Sequence, residues 1–193
     1  MIDFTNLSVL RQNFANVVYT MKIHEICKEK AAIGKVIYAI VNIILIGLTF
    51  VIITFGNIFF NIGVCNIFSS LFSLSALILF ICTLVFNPNN KYKQHETTAN
   101  KLLLIREKYI NLMADIVTEN ISSDLIKQKS DGLVNEVEKI YAEAPYRSRR
   151  CYKEAQRRLR GKNVEGEDFT TSDKEIDRFL PSELKYSTLK DNK

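Results

Sequence analysis

The sequence predicts an all-α membrane protein: a two-helix transmembrane hairpin with cytoplasmic amphipathic, coiled-coil-like helices. Residues 36–90 of the 193-residue chain contain no Asp, Glu, Lys or Arg, whereas the regions on either side are rich in charge. A soluble protein cannot easily bury so long an uncharged segment, because its surface helices need a polar face. Apolar residues at helical spacing recur before and after this segment, and they predict the remaining helices.

The uncharged segment is too long for one membrane crossing. As a single helix it would extend about 80 Å, against a hydrocarbon core of about 30 Å. We therefore predict a hairpin over 36–86, with spans at about 36–56 and 67–86. The loop at 57–66 contains the asparagines and glycines that turns require. The sequence Asn-Pro-Asn-Asn at 87–90 is expected to end the second span, since proline cannot continue a helix by normal bonding.

Positive charges near the spans predict the orientation of the hairpin. Lysines precede the first span and follow the second, and the tip has none: Lys22, Lys28, Lys30, Lys35, Lys91, Lys93 and Lys101. By the positive-inside rule both termini are expected in the cytoplasm. The first span starts far into the chain and lacks a small-residue cleavage site, so we expect an uncleaved anchor.

The cytoplasmic helices are predicted from two apolar stripes. The N-terminal helix over 1–35 has Leu7, Leu10, Phe14, Val17 and Met21 three and four residues apart. The helical region over 91–160 begins with the candidate assembly stripe: Leu102, Ile105, Tyr109, Leu112 and Ile116. The two stripes suit packing within one chain or between chains, and the pattern does not separate these alternatives.

Two further helices and a tail complete the predicted chain. Helices are expected at about 124–143, ended by Pro145, and at about 147–160. Residues 161–193 are acidic and polar in their first part, and we expect a flexible tail there.

The spans carry a few polar residues whose role has two interpretations. They are Asn42 and Thr49 in the first span, and Asn66, Ser69 and Ser73 at the start of the second. Small hydroxylated residues commonly allow helices to pack closely. Alternatively, they line a polar pathway once several hairpins assemble, since one hairpin cannot enclose a pore. The absence of intramembrane charge argues against a proton relay or an active transporter.

The last predicted helix carries a basic face. Arg150, Lys153, Arg157 and Arg160 are three or four residues apart and therefore share one side. Anionic lipid headgroups, a protein partner, and a phosphate-rich nucleotide or RNA all suit such a face.

The sequence offers little material for catalysis. It contains no glycine-rich phosphate loop, nucleophile elbow or metal motif, so we expect neither an enzyme nor a cofactor or metal. His24 and His95 are expected to be interfacial residues next to the membrane. The four cysteines are Cys27, Cys65, Cys82 and Cys151; because they are widely spaced, we expect four free thiols.

Several short motifs resemble a known family. KEKAAIGK at 28–35 leads into the two spans, KQHETTANKLL at 93–103 and REKY at 106–109 follow them, and EAPYRSR at 143–149 opens a basic helix containing AQRRL at 155–159. This order, over about residues 5 to 160, resembles the SLATT domain, a two-transmembrane effector domain associated with SMODS nucleotidyltransferases and SLOG sensors in bacterial conflict systems.

The resemblance implies a function and partners. It implies a pore-forming, homo-oligomeric effector that permeabilises the bacterial inner membrane in antiphage, abortive-infection defence. The residues after Gly161 are too few for a fused sensor, so a separate component is expected to trigger it: a nucleotidyltransferase, a SLOG protein or a reverse transcriptase. The alternative is a membrane-anchored helical scaffold that recruits a protein or nucleic-acid partner.

Overall fold

The computed structural model describes residues 4–59, 61–160 and 172–191, and within these ranges the chain is helical without any strand. The elements in chain order are α1 (Phe4–Phe59), α2 (Ile62–Phe86), α3 (Pro88–Val117), α4 (Ser123–Glu143), α5 (Arg149–Arg160), α6 (Asp173–Asp177), a 3₁₀ helix (Ser182–Leu184) and α7 (Tyr186–Asp191). The chain divides into two compact units: Lys28–Lys93, and Met1–Cys27 together with Gln94–Lys193. The predicted all-α class is confirmed.

The unit Lys28–Lys93 is a helical hairpin. Among the described residues, two helical stretches are long and apolar enough to cross a membrane, within Thr5–Gly56 and within Ile62–Val117. Large apolar side chains are exposed along both helices of the hairpin, including Ile43, Phe50, Ile67 and Val85. Exposed apolar residues at this density suit a surface that faces lipid rather than water.

The turn of the hairpin is much shorter than the predicted loop at 57–66. Helix α1 continues to Phe59, and α2 begins at Ile62. Asn61 explains the early start of α2, because its side chain accepts a hydrogen bond of 2.9 Å from the N–H of Gly63 and so caps the helix. Most of the asparagines and glycines that predicted a loop therefore lie inside the two helices.

Helix α2 ends at Phe86, and Asn87 contributes to the ends of two helices. Asn87 has φ 38°, the left-handed conformation common after a helix, and its N–H donates to the carbonyl of Thr83. Its side-chain oxygen accepts from the N–H of Asn90 at 3.1 Å, within the first turn of α3. Pro88 begins α3, where the missing N–H costs nothing.

The other unit has one main hydrophobic core. The apolar stripe of α1 and the stripe of α3 are buried in it together, with Ile126 and Leu133 of α4. Val137, Ile140 and Tyr141 pack at its edge. The predicted third and fourth helices are observed within two residues of their expected bounds.

Three ion pairs between α3 and α4 show the register of the two helices. They are Lys101 with Glu143 at 2.6 Å, Lys108 with Glu136 at 2.6 Å, and Asp115 with Lys129 at 3.2 Å. From one pair to the next, the position moves seven residues forward in α3 and seven residues back in α4. Exposed pairs contribute little free energy each. Their even spacing nevertheless shows that the two helices run antiparallel.

The expectation of a flexible tail over 161–193 is wrong for residues 172–191. This segment forms α6, the 3₁₀ helix and α7. The physical reason is its apolar spacing: Ile176, Leu180, Leu184 and Leu189 are buried in the main core. Residues 161–171 and 192–193 lie outside the described ranges.

Candidate functional site

The seam between the two hairpin helices contains most of the predicted polar residues. On α1, half-buried or buried residues recur at alternating steps of three and four: Asn42, Leu45, Thr49, Ile52 and Gly56. On α2 the buried residues are Cys65, Ser69 and Ala76. This spacing is typical of helices that pack side by side at a shallow angle.

The hydroxyl groups in this seam bond to their own helix. Thr49 Oγ1 donates to the carbonyl of Leu45 at 2.9 Å, and Ser69 Oγ donates to the carbonyl of Asn66 at 3.1 Å. Ser69 is buried and Thr49 half-buried, so both lie inside the single-chain hairpin. Their geometry agrees with close helix packing.

The other predicted polar residues of α2 lie on an exposed face. Asn66 and Ser73 are exposed, and Ser70 lies between them on the same side of the helix. Asn42 of α1 is half-buried and belongs to the seam. The structure therefore separates the five predicted residues into a seam group and an exposed group, and their role in a pathway stays a prediction.

The two hairpin helices come close together at Gly56. A Cβ placed on Gly56 would lie 2.8 Å from Cys65 Sγ, closer than real Cβ atoms come to a neighbour. Gly56 is the last residue of the first predicted span, and in the structure it lies inside α1, where its lack of a side chain lets the two helices approach each other. An apolar cavity of about 280 Å³ opens beside this contact, lined in part by Phe55, Phe68 and Phe72.

The predicted assembly stripe is buried within one chain. The relative exposure of Leu102, Ile105, Tyr109, Leu112 and Ile116 is at most 3%. Burial and the neighbouring Tyr141 raise the pKa of Tyr109 to about 12. Since these side chains already pack against α1, they are not available to a second copy while this core is closed.

The basic face of α5 is exposed to solvent. Arg150, Lys153 and Arg157 are exposed, and the side chain of Arg160 lies outside the described residues. Arg157 pairs with Glu154 at 2.8 Å, and Arg158 pairs with the same carboxylate at 2.9 Å. The hydrogen bond from Arg157, then that from Arg158, lower the pKa of Glu154. The opposite face of α5 holds the buried residues Cys151 and Ala155.

A buried histidine pair is the first feature that the sequence reasoning missed. His24 Nδ1 and His95 Nδ1 are 2.9 Å apart, and the two side chains are 0% and 7% exposed. Burial, followed by the charges of His95 and Arg147, lowers the pKa of His24 to about 4. His24 Nε2 is buried and has no hydrogen-bond partner among the described residues. The expectation that both histidines are interfacial residues is therefore wrong.

The heptad spacing of the two apolar stripes could have predicted that both histidines are buried. His24 lies seven residues after Val17, and His95 lies seven residues before Leu102. Both histidines therefore continue the apolar stripes by one heptad, on the faces that the two helices bury.

A disulfide bond is the second missed feature, and it overturns the expectation of four free thiols. Cys27 of α1 is bonded to Cys151 of α5, with their Cα atoms 5.5 Å apart. Cys65 and Cys82 are free. Spacing could not reveal the pair, because its two members are 124 residues apart.

The third missed feature is a buried arginine in α1. Arg11 is 1% exposed, and it donates to the carbonyl of Leu184 at 2.9 Å and to Asp177 at 2.6 Å. Burial acts to raise the pKa of Asp177, but the bonds from Arg11 and from the N–H of Tyr186 outweigh it and lower that pKa. The terminal nitrogens of Arg11 are paired, whereas its buried Nε has no hydrogen-bond partner among the described residues. The paired, buried charge links the C-terminal segment to α1.

The described residues contain no group of three or more His, Cys, Asp or Glu side chains that would suit a metal ion.

The structure combines a lipid-compatible hairpin with a helical bundle that is joined to it in sequence, which defines a membrane-associated helical protein. The family model described as SMODS and SLOG-associating 2TM effector domain family 4 matches residues 7–175. The chain belongs to this family of two-transmembrane effector domains, as the SLATT resemblance predicted. No match was found among curated proteins or among solved structures.

Proposed function

We propose that the protein is a pore-forming effector of a bacterial antiphage system. It resides in the inner membrane as a multi-pass protein with both termini in the cytoplasm. On activation by a separate sensor, several copies assemble and permeabilise the membrane, which stops the infected cell. No catalytic step belongs to this function.

One observation carries the proposal: a member of a two-transmembrane effector family has a hairpin whose outer surface is apolar and uncharged. Lysines flank the hairpin on the side of the termini only, which supports the cytoplasmic orientation. A single hairpin cannot enclose a channel, so permeabilisation requires several hairpins.

The exposed polar residues of α2 suit the lining of such a channel better than the seam residues do. Asn66, Ser70 and Ser73 are exposed along one face, whereas Ser69 is buried against the partner helix. In lipid, exposed polar groups favour association with other polar groups or with water. We propose this face for the pathway between copies.

Assembly has to use surfaces other than the closed core. The stripe from Leu102 to Ile116 is buried within the chain, so oligomerisation through it requires that the core first opens. A sensor that binds the cytoplasmic bundle would supply the free energy for such a change.

Inducible expression with a voltage-sensitive dye tests the pore. Together with its sensor, the wild-type protein is expected to depolarise the membrane. The variant Asn66→Leu/Ser73→Leu should lose most of this signal, because it removes two of the three polar side chains from the exposed face of α2. Ser69→Ala is the matched control: it removes a seam hydroxyl and should keep the activity. Equal signals from all three proteins, at equal membrane abundance, would refute this pathway.

The exposed basic face of α5 favours a second candidate, a membrane-anchored scaffold that recruits a protein or nucleic acid. Replacing the hairpin by an unrelated two-span anchor separates the two functions. A scaffold keeps its protective effect against phage after this exchange, whereas a pore loses it.

A further inference from the structure

The bond between Cys27 and Cys151 joins two helices that otherwise meet through a small contact. The cluster around it consists of Ile23, Ile26 and Cys27 of α1 with Cys151 and Ala155 of α5. This cluster is separate from the main core, in which none of the described side chains of α5 takes part. The covalent bond therefore links α5 to α1 inside a small apolar cluster.

The non-covalent contacts that support α5 from its two ends are weak. At its C-terminal end, Arg178 donates to the carbonyl of Leu159 at 3.2 Å, and this bond is exposed. Before its N-terminal end, Arg147 reaches Thr20 at the long distance of 3.5 Å. Exposed and long hydrogen bonds contribute little free energy, so neither of these two bonds alone holds α5 firmly.

Whether the Cys27–Cys151 bond is permanent or reversible depends on the compartment in which the two cysteines lie. Both cysteines belong to the unit that contains the chain's terminal regions, which our proposed function places in the cytoplasm. Cytoplasmic thiols are kept reduced, and disulfides there are usually transient or redox-sensing. A permanent disulfide would require the opposite orientation, against the distribution of lysines around the hairpin.

We propose that Cys27 and Cys151 form a reversible redox-modification site that fixes α5 to α1 when oxidised and releases it when reduced. The inference rests on the cytoplasmic orientation in the proposed function. Its consequence is control of the basic face of α5: oxidation holds that face in one position, and reduction frees the helix that carries it.

The surroundings of Cys151 favour it as the attacking thiolate. It lies in the first turn of α5, where the helix dipole favours negative charge. The hydroxyl of Ser148 donates a hydrogen bond of 3.0 Å to its sulfur. Arg149 and Arg150 precede it directly and add positive charge.

The reaction balances with a hydroperoxide as the oxidant. The Cys151 thiolate attacks hydrogen peroxide, the O–O bond breaks, and a sulfenic acid and hydroxide form. The hydroxide takes up the proton that the Cys151 thiol had lost and becomes the first water. The Cys27 thiol, losing its proton, attacks the sulfenic sulfur and expels its oxygen as a second water. Two thiols and hydrogen peroxide thus give one disulfide and two waters. A dithiol reductant reverses the change by two thiol–disulfide exchange steps and leaves as its own disulfide.

Thiol trapping in cells tests the bond. The full-length chain is expressed, cells are treated with acid and denatured, and free thiols are labelled with a polyethylene-glycol maleimide. Unstressed cells should give four labelled thiols, peroxide-treated cells two, and peroxide-treated cells after dithiothreitol four again. In Cys151→Ala, peroxide should leave all three remaining thiols labelled, because the attacking sulfur is absent. In Cys27→Ala it should leave two, because Cys151 stops at the sulfenic acid without a thiol to resolve it. Four labels after peroxide would overturn the proposal, as would two labels in unstressed cells.

Proteolysis of the purified full chain in lipid nanodiscs tests the release of α5. Trypsin should cut at Arg149 and Arg150 at least about tenfold faster in the reduced protein than in the oxidised one, since cross-links restrict local opening strongly. Cys27→Ser/Cys151→Ser is the matched control and should behave as the reduced form with or without peroxide. Equal cleavage of the two wild-type forms would overturn the proposed release. Neither readout depends on permeabilisation, so a negative dye result would refute the pore alone.

Discussion

Replacing Asp177 by alanine tests whether the C-terminal segment belongs to the folded core. Asp177 accepts a 2.6 Å hydrogen bond from the buried Arg11 and a 2.9 Å bond from the N–H of Tyr186, at the start of α7. The variant would leave the guanidinium of Arg11 in the core with its nearest negative charge removed.

The expected loss follows from this burial. Removing one partner of a buried ion pair costs about 3–5 kcal/mol, because the other charge stays desolvated. Arg11 is 1% exposed and Asp177 15%, and Asp173 stands 3.4 Å from the guanidinium as a weaker second partner. We therefore expect the lower end of the range, about 3 kcal/mol. Arg11→Met should cost less, because it removes the charge together with its desolvation penalty.

Hydrogen exchange read by mass spectrometry is the assay. Peptides covering 172–191 report the free energy of opening of this segment in the full-length protein. Asp177→Ala should reduce their protection by about two factors of ten, the equivalent of about 3 kcal/mol. Asp173→Ala is the matched control and should cost below about 1 kcal/mol, since that carboxylate is 54% exposed.

Two outcomes would refute the reasoning. If Asp177→Ala lowers protection no more than Asp173→Ala, the buried ion pair does not hold the segment. If Arg11→Met is as damaging as Asp177→Ala, packing of the long side chain matters more than its charge.

Two further predictions concern the hairpin and the histidine pair. Gly56→Ala should destabilise the hairpin by about 1–3 kcal/mol in a denaturant titration, because its Cβ would meet Cys65 Sγ at 2.8 Å. Adding Cys65→Ala should restore most of this loss. Gly47→Ala is the control and should not change the stability, because the space around Gly47 is open. Burial of neutral His24 lowers its pKa from the ordinary value of 6.5 to about 4. Its contribution to the free energy of unfolding is therefore complete above pH 6.5. This contribution declines as the pH falls towards 4, by up to about 3 kcal/mol. The free energy of unfolding of the helical bundle, measured between pH 7 and pH 4, should fall in the wild type and fall much less in His24→Gln. The same pH dependence in both proteins would show that His24 is not the titrating group.

The parts of the fold that follow local patterns could be predicted from the sequence. Charge depletion over 36–90 identified the hairpin, and Asn87-Pro88 marked the end of its second helix. The length of the hairpin turn was overestimated, because glycine occurs both in turns and at close contacts between helices. Gly56 allows a close helix contact instead of a reversal of the chain.

The features that bring distant residues together could not be predicted in the same way. Arg11 is a charged residue beside an apolar stripe, and its burial is explained by distant partners such as Asp177, 166 positions away. The C-terminal segment looked polar because the acidic residues before it dominated its average composition. The spacing of Ile176, Leu180 and Leu184 already indicated an apolar face, but nothing local showed what it would pack against.

The bond between Arg11 and Asp177 also has a consequence for how the chain is made. At about 5–20 residues per second, a ribosome that has synthesised Arg11 needs about 10–30 s more to reach residue 177. During this interval the hairpin helices emerge and meet the membrane while the first helix lacks its final partner. Arg11 thus meets Asp177 only after the intervening helices have been made.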